Sequence, residues 1–511
     1  MTGAEGVGAS GATLGELLRD FDDLVVAVHG DRDVVVRGIS ADSRTVVAGD
    51  LFVALPGTRT DGARYVAEAC ARGAAAVAVD AAAASAAATW IETPHPARLL
   101  ARVAARFHGD PTRELTMVGI TGTNGKTTVS YLLEAIWLAA GLRPGVLGTI
   151  SYRFGGDAVP APLTTPPAPE LFARLAAMRA RGGTHVAMEV SSHALVQDRV
   201  EGIAWDAAVF TNLSRDHLDF HRDHEEYFRA KARLFQALES SPKRRRIAIL
   251  NAADPRGRQL ERDLDVPVLT FGAGGEVRAE RLAMTLTGSR FELVLGGERA
   301  PLASRLIGSG NVENVLAAAA AAHALGAPID AIVRGVEEFP GVPGRVEPVA
   351  AGQRFTVLVD YAHTPDALAG VLGSLRPMIE GRLLCVFGCG GDRDRGKRPL
   401  MAEAVGRSVD LAVLTSDNPR TEDPRAIIAD AEPGLAEGGL GRLTTLAGAD
   451  RGYVVEPDRT RAIAVAIGAA RAGDCVVIAG KGHEDYQIVG TTKLPFDDRA
   501  EARRVLAETR A

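Results

Sequence analysis

Cysteine is scarce in this chain: four stand among 511 residues, at Cys70, Cys385, Cys389 and Cys475. No two form a Cys-x-x-Cys pair, which favours structural thiols over metal or redox roles. Cys385 and Cys389 lie in and just after the apolar run Leu383–Phe387, which reads as a buried strand. That usage suits a reducing compartment. A basic excess is also missing. The 58 Lys and Arg against 64 Asp and Glu leave a net charge of -6, so no nucleic-acid-binding surface is expected. No apolar stretch reaches the ~18 residues of a membrane span. No basic segment followed by an apolar one opens the chain, so no secretory signal is expected and the cytoplasm is the expected compartment. No period of 20–50 residues recurs.

What is present is the composition of an ordinary globular protein, 46% apolar and 24% charged. The length exceeds one compact core and suggests about three domains. The first, over 1–110, is expected to be a small α/β unit. It opens with the helical pattern Thr13–Leu18 and continues through β-rich runs at Val34–Val36, Leu51–Leu55 and Ala75–Val79, with a helix over Tyr65–Cys70. The alanine- and serine-rich stretch Ala81–Ala88 reads as a helix or linker. The second, over 111–343, begins with the strand-like Leu115–Ile120 and alternates apolar runs (Val186–Met188, Ala207–Phe210, Ile247–Leu250) with helical stretches. The third, over 344–511, repeats the alternation through Thr356–Val359, Leu383–Phe387, Leu411–Leu414 and Val476–Ile478. The fold class is therefore α/β, with mainly parallel sheets covered by helices on both faces.

The strongest motif is Gly122-Thr123-Asn124-Gly125-Lys126-Thr127-Thr128, a glycine-rich turn between a strand and a helix. Free backbone N–H groups and the positive helix end make an anion site. Lys126 adds a mobile charge for the β- and γ-phosphates, and Thr127 an oxygen for Mg2+. The spacing departs from the usual P-loop: five residues before Gly125 stands Ile120, not glycine. Downstream, Glu189 ends an apolar strand, where ligands of open α/β sheets bind, and can hold Mg2+ there. The cluster Asn212–His221 with His224 lacks cysteine and has no His-Glu-x-x-His spacing, which argues against zinc.

The short loop resembles that of the Mur ligases and the related folylpolyglutamate synthetases, families that form amide bonds through an acyl phosphate. The resemblance implies a P-loop-type central domain, a Rossmann-like C-terminal domain, and ATP with two Mg2+ ions. It implies metal binding by Thr127, Glu189 and His217, and by Lys231 as N6-carboxylysine; Lys126, Glu189, His217 and Lys231 become the catalytic set. Read from the residues alone, Lys231 is a solvated helical lysine. Gly308–Asn314 is similar to the family's adenine-side motif, with Asn311 the contact; the bland alternative is a helix N-terminus, which asparagine also favours. Arg345 and Asp360 match hinge and ribose- or phosphate-contacting positions, completing the ATP set with Gly122 to Thr128.

The resemblance narrows further to a member handling UDP-N-acetylmuramoyl-L-alanyl-D-glutamate and meso-diaminopimelate. It implies that Ser43 and the loop Thr58-Arg59-Thr60 contact the uridine or diphosphate, and that Thr164, Thr165, Ser191, Gln197 and Arg199 hold the muramoyl dipeptide. Leu163 departs from the pattern, where asparagine is common. Asp417-Asn418-Pro419-Arg420, Arg393, Gly480 and Glu484 would form the amino-acid pocket. The chemistry is coherent: an arginine fork takes the distal carboxylate of diaminopimelate, which L-lysine lacks, and Glu484 the ammonium. Alone, Asp-Asn-Pro-Arg is a plain turn. A monomer is expected. Rival readings are a sister ligase of the same family or a nucleotide-dependent switch with no second substrate pocket; no general base is identified, although His217 is conceivable.

Overall fold

The computed structural model describes residues 11–57, 61–80, 87–217 and 220–508. Three α/β units follow one another along it. The first has a five-stranded sheet in the order Ala27–His29, Trp90–Glu92, Ala76–Val79, Asp50–Val53, Gly38–Ser40, antiparallel only at the first pair. Its opening helix, Leu14–Leu17, starts at a capping box: Glu16 N–H donates to the Thr13 hydroxyl, and the Glu16 side chain accepts from the Thr13 N–H.

The second unit is built on eight strands. Six run parallel, in the order Pro144–Leu147, His185–Glu189, Thr116–Thr121, Ala207–Phe210, Ile247–Asn251, Val268–Phe271. Thr116–Thr121 lies inside, and its residues from Met117 onward are buried, as a strand covered on both faces requires. Helices Lys126–Ala139 and Ser309–Ala324 cover one face and His224–Glu239 and Ala168–Ala180 the other. The buried run Ala317–Ala322 brings the 309–324 helix close to its neighbours with no bulky side chain between. Two antiparallel features were not anticipated: the edge strands Ser151–Phe154 and Asp157–Pro160, and a separate sheet of Arg278–Thr285, Gly288–Leu295 and Glu298–Ser304. Their turns, Gly155-Gly156 and Gly296-Gly297, were the available signal.

The third unit orders its strands Glu347–Pro348, Thr356–Asp360, Cys475–Ala479, Leu383–Cys389, Leu411–Ser416, Gly452–Val455, parallel except at the first. Cys385, Cys389 and Cys475 are buried, and all four cysteines are free thiols. In the Ala81–Ala88 stretch, residues 81–86 lie outside the described residues, and Ala87 and Ala88 belong to no helix or strand. No helix among the described residues is long and apolar enough to cross a membrane.

Helix Pro96–Phe107 serves two cores at once. Leu99, Leu100 and Val103 enter the core of the first unit, and Ala101, Ala104 and Ala105 that of the second. The C-terminal helix Asp498–Glu508 is tied down differently, by a fully buried pair in which Arg459 Nε and Nη2 donate to Asp498 at 2.8 and 2.7 Å. Removing one partner leaves an uncompensated buried charge, at a cost of about 3–5 kcal/mol. Asp498→Ala should therefore lower the unfolding midpoint of the third unit in a denaturant titration; an unchanged midpoint would contradict this role.

Candidate active site

The phosphate loop leaves the carboxyl end of Thr116–Thr121, flanked by the ends of His185–Glu189 and Ala207–Phe210. Gly122 (φ 146°) and Gly125 (φ 89°) occupy the region open to glycine, and a side chain there would collide with the Thr211 hydroxyl or the Asn314 amide. The segment after Phe210 clamps the loop. Thr123 N–H donates to the Asn212 carbonyl and Asn124 N–H to Asn212 Oδ1, both at 2.9 Å, and the Thr211 hydroxyl donates to the Asn124 carbonyl at 2.6 Å. These bonds shape the cradle at the N-terminus of helix Lys126–Ala139.

Two lysines converge on this loop. Lys126 Nζ donates to the carbonyls of Gly122 and Thr123 at 2.7 and 2.9 Å. Desolvation lowers its pKa, Glu189 and Asp216 oppose, and Arg345 adds to the lowering. Lys231 is 1% exposed; its Nζ donates to the Gly122 carbonyl at 2.8 Å and lies 4.4 Å from the Tyr227 ring centroid. Burial pushes its pKa well below the ordinary lysine range, Lys126 adds to this, and Asp216 opposes. It is therefore not the solvated helical lysine that its sequence context suggests.

Glu189 is fully buried. It accepts from the Thr127 hydroxyl at 3.0 Å, the Thr149 hydroxyl at 2.8 Å and the Thr149 N–H at 2.9 Å. Thr149 carried no signal in the sequence. His217, at φ 54°, sets Nε2 3.4 Å from Asp216 and its ring 4.9 Å from His193. Burial pushes its pKa down to about 4 although Asp216 pulls upward, so the ring is neutral at pH 7. His221 is buried with Nε2 2.9 Å from the Ser192 hydroxyl. Among the described residues, no three His, Cys, Asp or Glu side chains gather as a metal cluster, and zinc gains no support. Adjacent oxygens on Thr127 and Glu189 do suit a hard cation that takes its remaining ligands from phosphates and water. Lys231, as a free amine, does not.

A cavity of about 440 Å3 joins the loop to the third unit, lined by Thr164, Glu189, Ser191, Asn311, Arg345 and Asp360 among others. Asn311 sits in the first turn of its helix, but Gly308 is the cap, so capping does not explain Asn311. Its amide donates to the Ile307 carbonyl at 2.9 Å and accepts from Asn314 at 3.0 Å. Arg345 reaches the Thr127 hydroxyl at 3.4 Å, lies 4.4 Å from the Tyr361 ring centroid, and leaves its buried Nε without a partner. Asp360 accepts from the N–H groups of Val346 and Ala362 at 2.7 and 2.8 Å, and burial raises its pKa against the pull of Arg345. It fixes the backbone at Val346 and Ala362.

A second cavity, about 250 Å3, shares Asp216, His217, Tyr361 and His363 with the first and contains Arg393, Asp417, Asn418, Arg420, Gly480 and Glu484. Pro419 does not line it and serves the turn. Arg420, at φ 53°, is pinned to the hairpin of Tyr486–Val489 and Thr492–Pro495: its N–H donates to the Ile488 carbonyl at 3.0 Å and its carbonyl accepts from Gly490 at 2.7 Å. Its Nη1 donates to the Gly391 carbonyl at 2.8 Å, and burial, then Arg393, lowers its pKa. Glu484 Oε2 accepts from Asn418 at 2.9 Å and from the fully buried Lys481 at 3.0 Å. Arg215 and Lys397 also line this cavity and were assigned no role from the sequence.

Thr165, Ser191, Gln197 and Arg199 form one chain of contacts. The Thr165 hydroxyl accepts from the Ser191 N–H at 3.1 Å, and Arg199 donates to the Thr165 carbonyl at 2.8 Å and to Gln197. Thr164 joins through Thr149, with hydroxyls 3.1 Å apart. Ser43 lines neither cavity; it is buried in the first unit and its hydroxyl donates to Glu68 at 2.8 Å. Thr58, Arg59 and Thr60 lie outside the described residues.

A strained loop position costs about 1–3 kcal/mol. Gly125→Ala should weaken ATP binding at least about tenfold by calorimetric titration, whereas Gly141→Ala, at positive φ with open space around it, should leave it within about twofold. Equal affinities for the two variants would contradict a glycine requirement at the cradle.

Comparison with known proteins agrees with this geometry. Three family models match: Mur ligase family, catalytic domain, over 35–108; Mur ligase middle domain over 120–322; and Mur ligase, glutamate ligase domain, over 344–482. The UDP-N-acetylmuramoyl-L-alanyl-D-glutamate--2,6-diaminopimelate ligase of Geobacter metallireducens is 48% identical, covering 94% of this chain and 96% of its own. The ligase of the same name from Streptomyces coelicolor is 45% identical, covering 96% of each. A solved structure of a ligase so named has a TM-score of 0.68 at 33% identity, over 98% of this chain and 100% of that one. MurF from Acinetobacter baumannii shares the fold, with a TM-score of 0.64 at 19% identity over 92% and 96%. The chain belongs to the Mur ligase family.

Proposed function

We propose that this chain is an ATP-dependent amide ligase of peptidoglycan precursor biosynthesis, acting as a cytoplasmic monomer. It joins meso-2,6-diaminopimelate to the D-glutamate carboxylate of UDP-N-acetylmuramoyl-L-alanyl-D-glutamate, giving ADP and phosphate. The observation that carries the reading is the pair of adjoining cavities. One holds the phosphate loop and the other three arginines together with Glu484, and Asp216, His217, Tyr361 and His363 line both.

In the first step a D-glutamate carboxylate oxygen attacks the γ-phosphorus and the bond to the ADP oxygen breaks. The loop N–H groups and Lys126, swung off the Gly122 and Thr123 carbonyls, stabilise the charge on the transferring phosphoryl. Thr165, Ser191, Gln197 and Arg199 would orient the dipeptide, and Ser43 with Thr58, Arg59 and Thr60 would grip the uridine diphosphate from the first unit. In the second step the diaminopimelate amine attacks the acyl carbon. The tetrahedral intermediate expels phosphate, and the proton lost by the amine passes to the departing phosphate or to solvent. Arg345 and Asp360, beside Asn311 on the adenine side, would bring the third unit down over ATP and exclude water from the acyl phosphate.

Thr127 and Glu189 would hold Mg2+, which neutralises charge on the phosphate oxygens when bound. Lys231 suits a second ion with His217 only as a carbamate, and the depressed pKa of its amine favours the neutral form that reacts with carbon dioxide. Lys231→Ala should abolish phosphate release, with partial rescue by bicarbonate or a short carboxylic acid; full activity without additives would contradict the role.

Arg420 is the residue that selects diaminopimelate over lysine in this reading. Losing one partner of a buried charge pair costs about 2–5 kcal/mol. Arg420→Ala should raise the KM for diaminopimelate roughly thirtyfold or more and leave that for ATP within about threefold. Equal changes in the two constants would contradict the assignment.

A further inference from the structure

Among the described residues, the amino-acid cavity draws three of its lining residues from the central unit: Arg215, Asp216 and His217, which follow the strand Ala207–Phe210. Asp216 and His217 also line the nucleotide cavity, but Arg215 does not. Its Nη2 lies 4.0 Å from Asp394, another residue of the amino-acid cavity, which places the guanidinium on that side. Within the protein that guanidinium is weakly engaged. Its nearest acidic partner, Asp394, is 4.0 Å away, and its buried Nε has no hydrogen-bond partner. The backbone, by contrast, is fixed: Arg215 N–H donates to Asp366 of the third unit at 2.9 Å.

The substrate chemistry calls for such a cation. Diaminopimelate carries a carboxylate at each end. Arg393 and Arg420 both flank Gly390, and Arg393 adds to the lowering of the Arg420 pKa that burial begins, so together they make one anion site at the far wall. The carboxylate beside the attacking amine must lie at the opposite end, toward the residues shared with the nucleotide cavity. Two cations remain on the lining, Arg215 and Lys397. Lys397 already acts on Asp216, whose pKa it helps to lower against burial. Arg215 alone combines a planar donor fork, an unused buried N–H and a place on the central unit.

We propose that Arg215 is a specificity-determining binding residue, the central unit's clamp on the carboxylate adjacent to the attacking amine. The inference rests on the diaminopimelate reading above. It makes the amino-acid site a joint product of two units: the third unit reads the distal end, and the central unit reads the reacting end once the two are apposed. An amine without the neighbouring carboxylate would then fill the pocket without engaging Arg215.

D-lysine provides the test, because it is meso-diaminopimelate without the carboxylate at the L-centre, which the proposal takes as the attacking end. The full-length protein is assayed by phosphate release with ATP and UDP-dipeptide. The KM for diaminopimelate is measured alongside the inhibition constant of D-lysine as its competitor, which is readable whether or not D-lysine turns over. Wild type should prefer diaminopimelate by about thirtyfold or more, the loss expected for one charge partner. Arg215→Ala should reduce that preference to within about threefold while the KM for ATP stays within about twofold, and Arg215→Lys should restore part of it. Wild type that does not discriminate, or an alanine variant that weakens both compounds equally, overturns the proposal. So does collapse of the preference in Lys397→Ala instead of Arg215→Ala. Failure of wild type to use diaminopimelate at all would instead defeat the underlying ligase reading.

Discussion

The clamp of Thr211 and Asn212 on the loop from Gly122 to Gly125 is the constraint on which the rest of the site depends. Three hydrogen bonds from the segment after Ala207–Phe210 fix the loop backbone in a shape that only glycine tolerates at two positions. With the loop fixed, the Gly122 carbonyl becomes an anchor for two lysines from different helices, Lys126 and Lys231. The same segment then continues into Arg215, Asp216 and His217, so one stretch of chain shapes the phosphate cradle and also reaches the amino-acid cavity.

Charge is distributed accordingly. Asp216 is the carboxylate felt by Lys126, Lys231 and His217, and it stands where the two cavities meet. Buried Glu189 gathers Thr127 and Thr149 on the opposite side of the loop. Burial removes water from Glu189 and Lys231, so each interaction there is worth more than it would be on a surface, and it lowers the pKa of the Lys231 amine. The third unit contributes no phosphate loop of its own. It contributes Arg345 to the Thr127 hydroxyl, and Arg393 and Arg420 to the lining of the second cavity.

Much of this was legible in the sequence because local pattern carried it. Strand Thr116–Thr121, the loop and helix Lys126–Ala139 are contiguous, and their order alone states an anion site. That Asp-Asn-Pro-Arg forms a turn after an apolar strand was legible from its residues, and the resemblance pointed to Arg420; that its backbone would be held at positive φ by a hairpin some 70 residues on was not legible. Thr149 was not legible: a threonine after Gly148 has no meaning until the sheet order sets it beside Glu189. Lys231 reads as a surface lysine, since helix periodicity does not reveal that its face packs against the phosphate loop. The antiparallel strands from Arg278 to Ser304 were passed over because β/α alternation set the expectation for the whole unit. Ser43 was expected to contact the uridine or diphosphate, and its hydroxyl donates to Glu68.

The two adjoining cavities make one demand that a nucleotide switch does not: hydrolysis of ATP must wait for the amine. The direct measurement is phosphate release from ATP with UDP-N-acetylmuramoyl-L-alanyl-D-glutamate present, comparing meso-diaminopimelate, L-lysine and no amino acid. Sustained release with diaminopimelate, and little with lysine or with none, is the expected result. Release at the same rate in all three would contradict the ligase assignment.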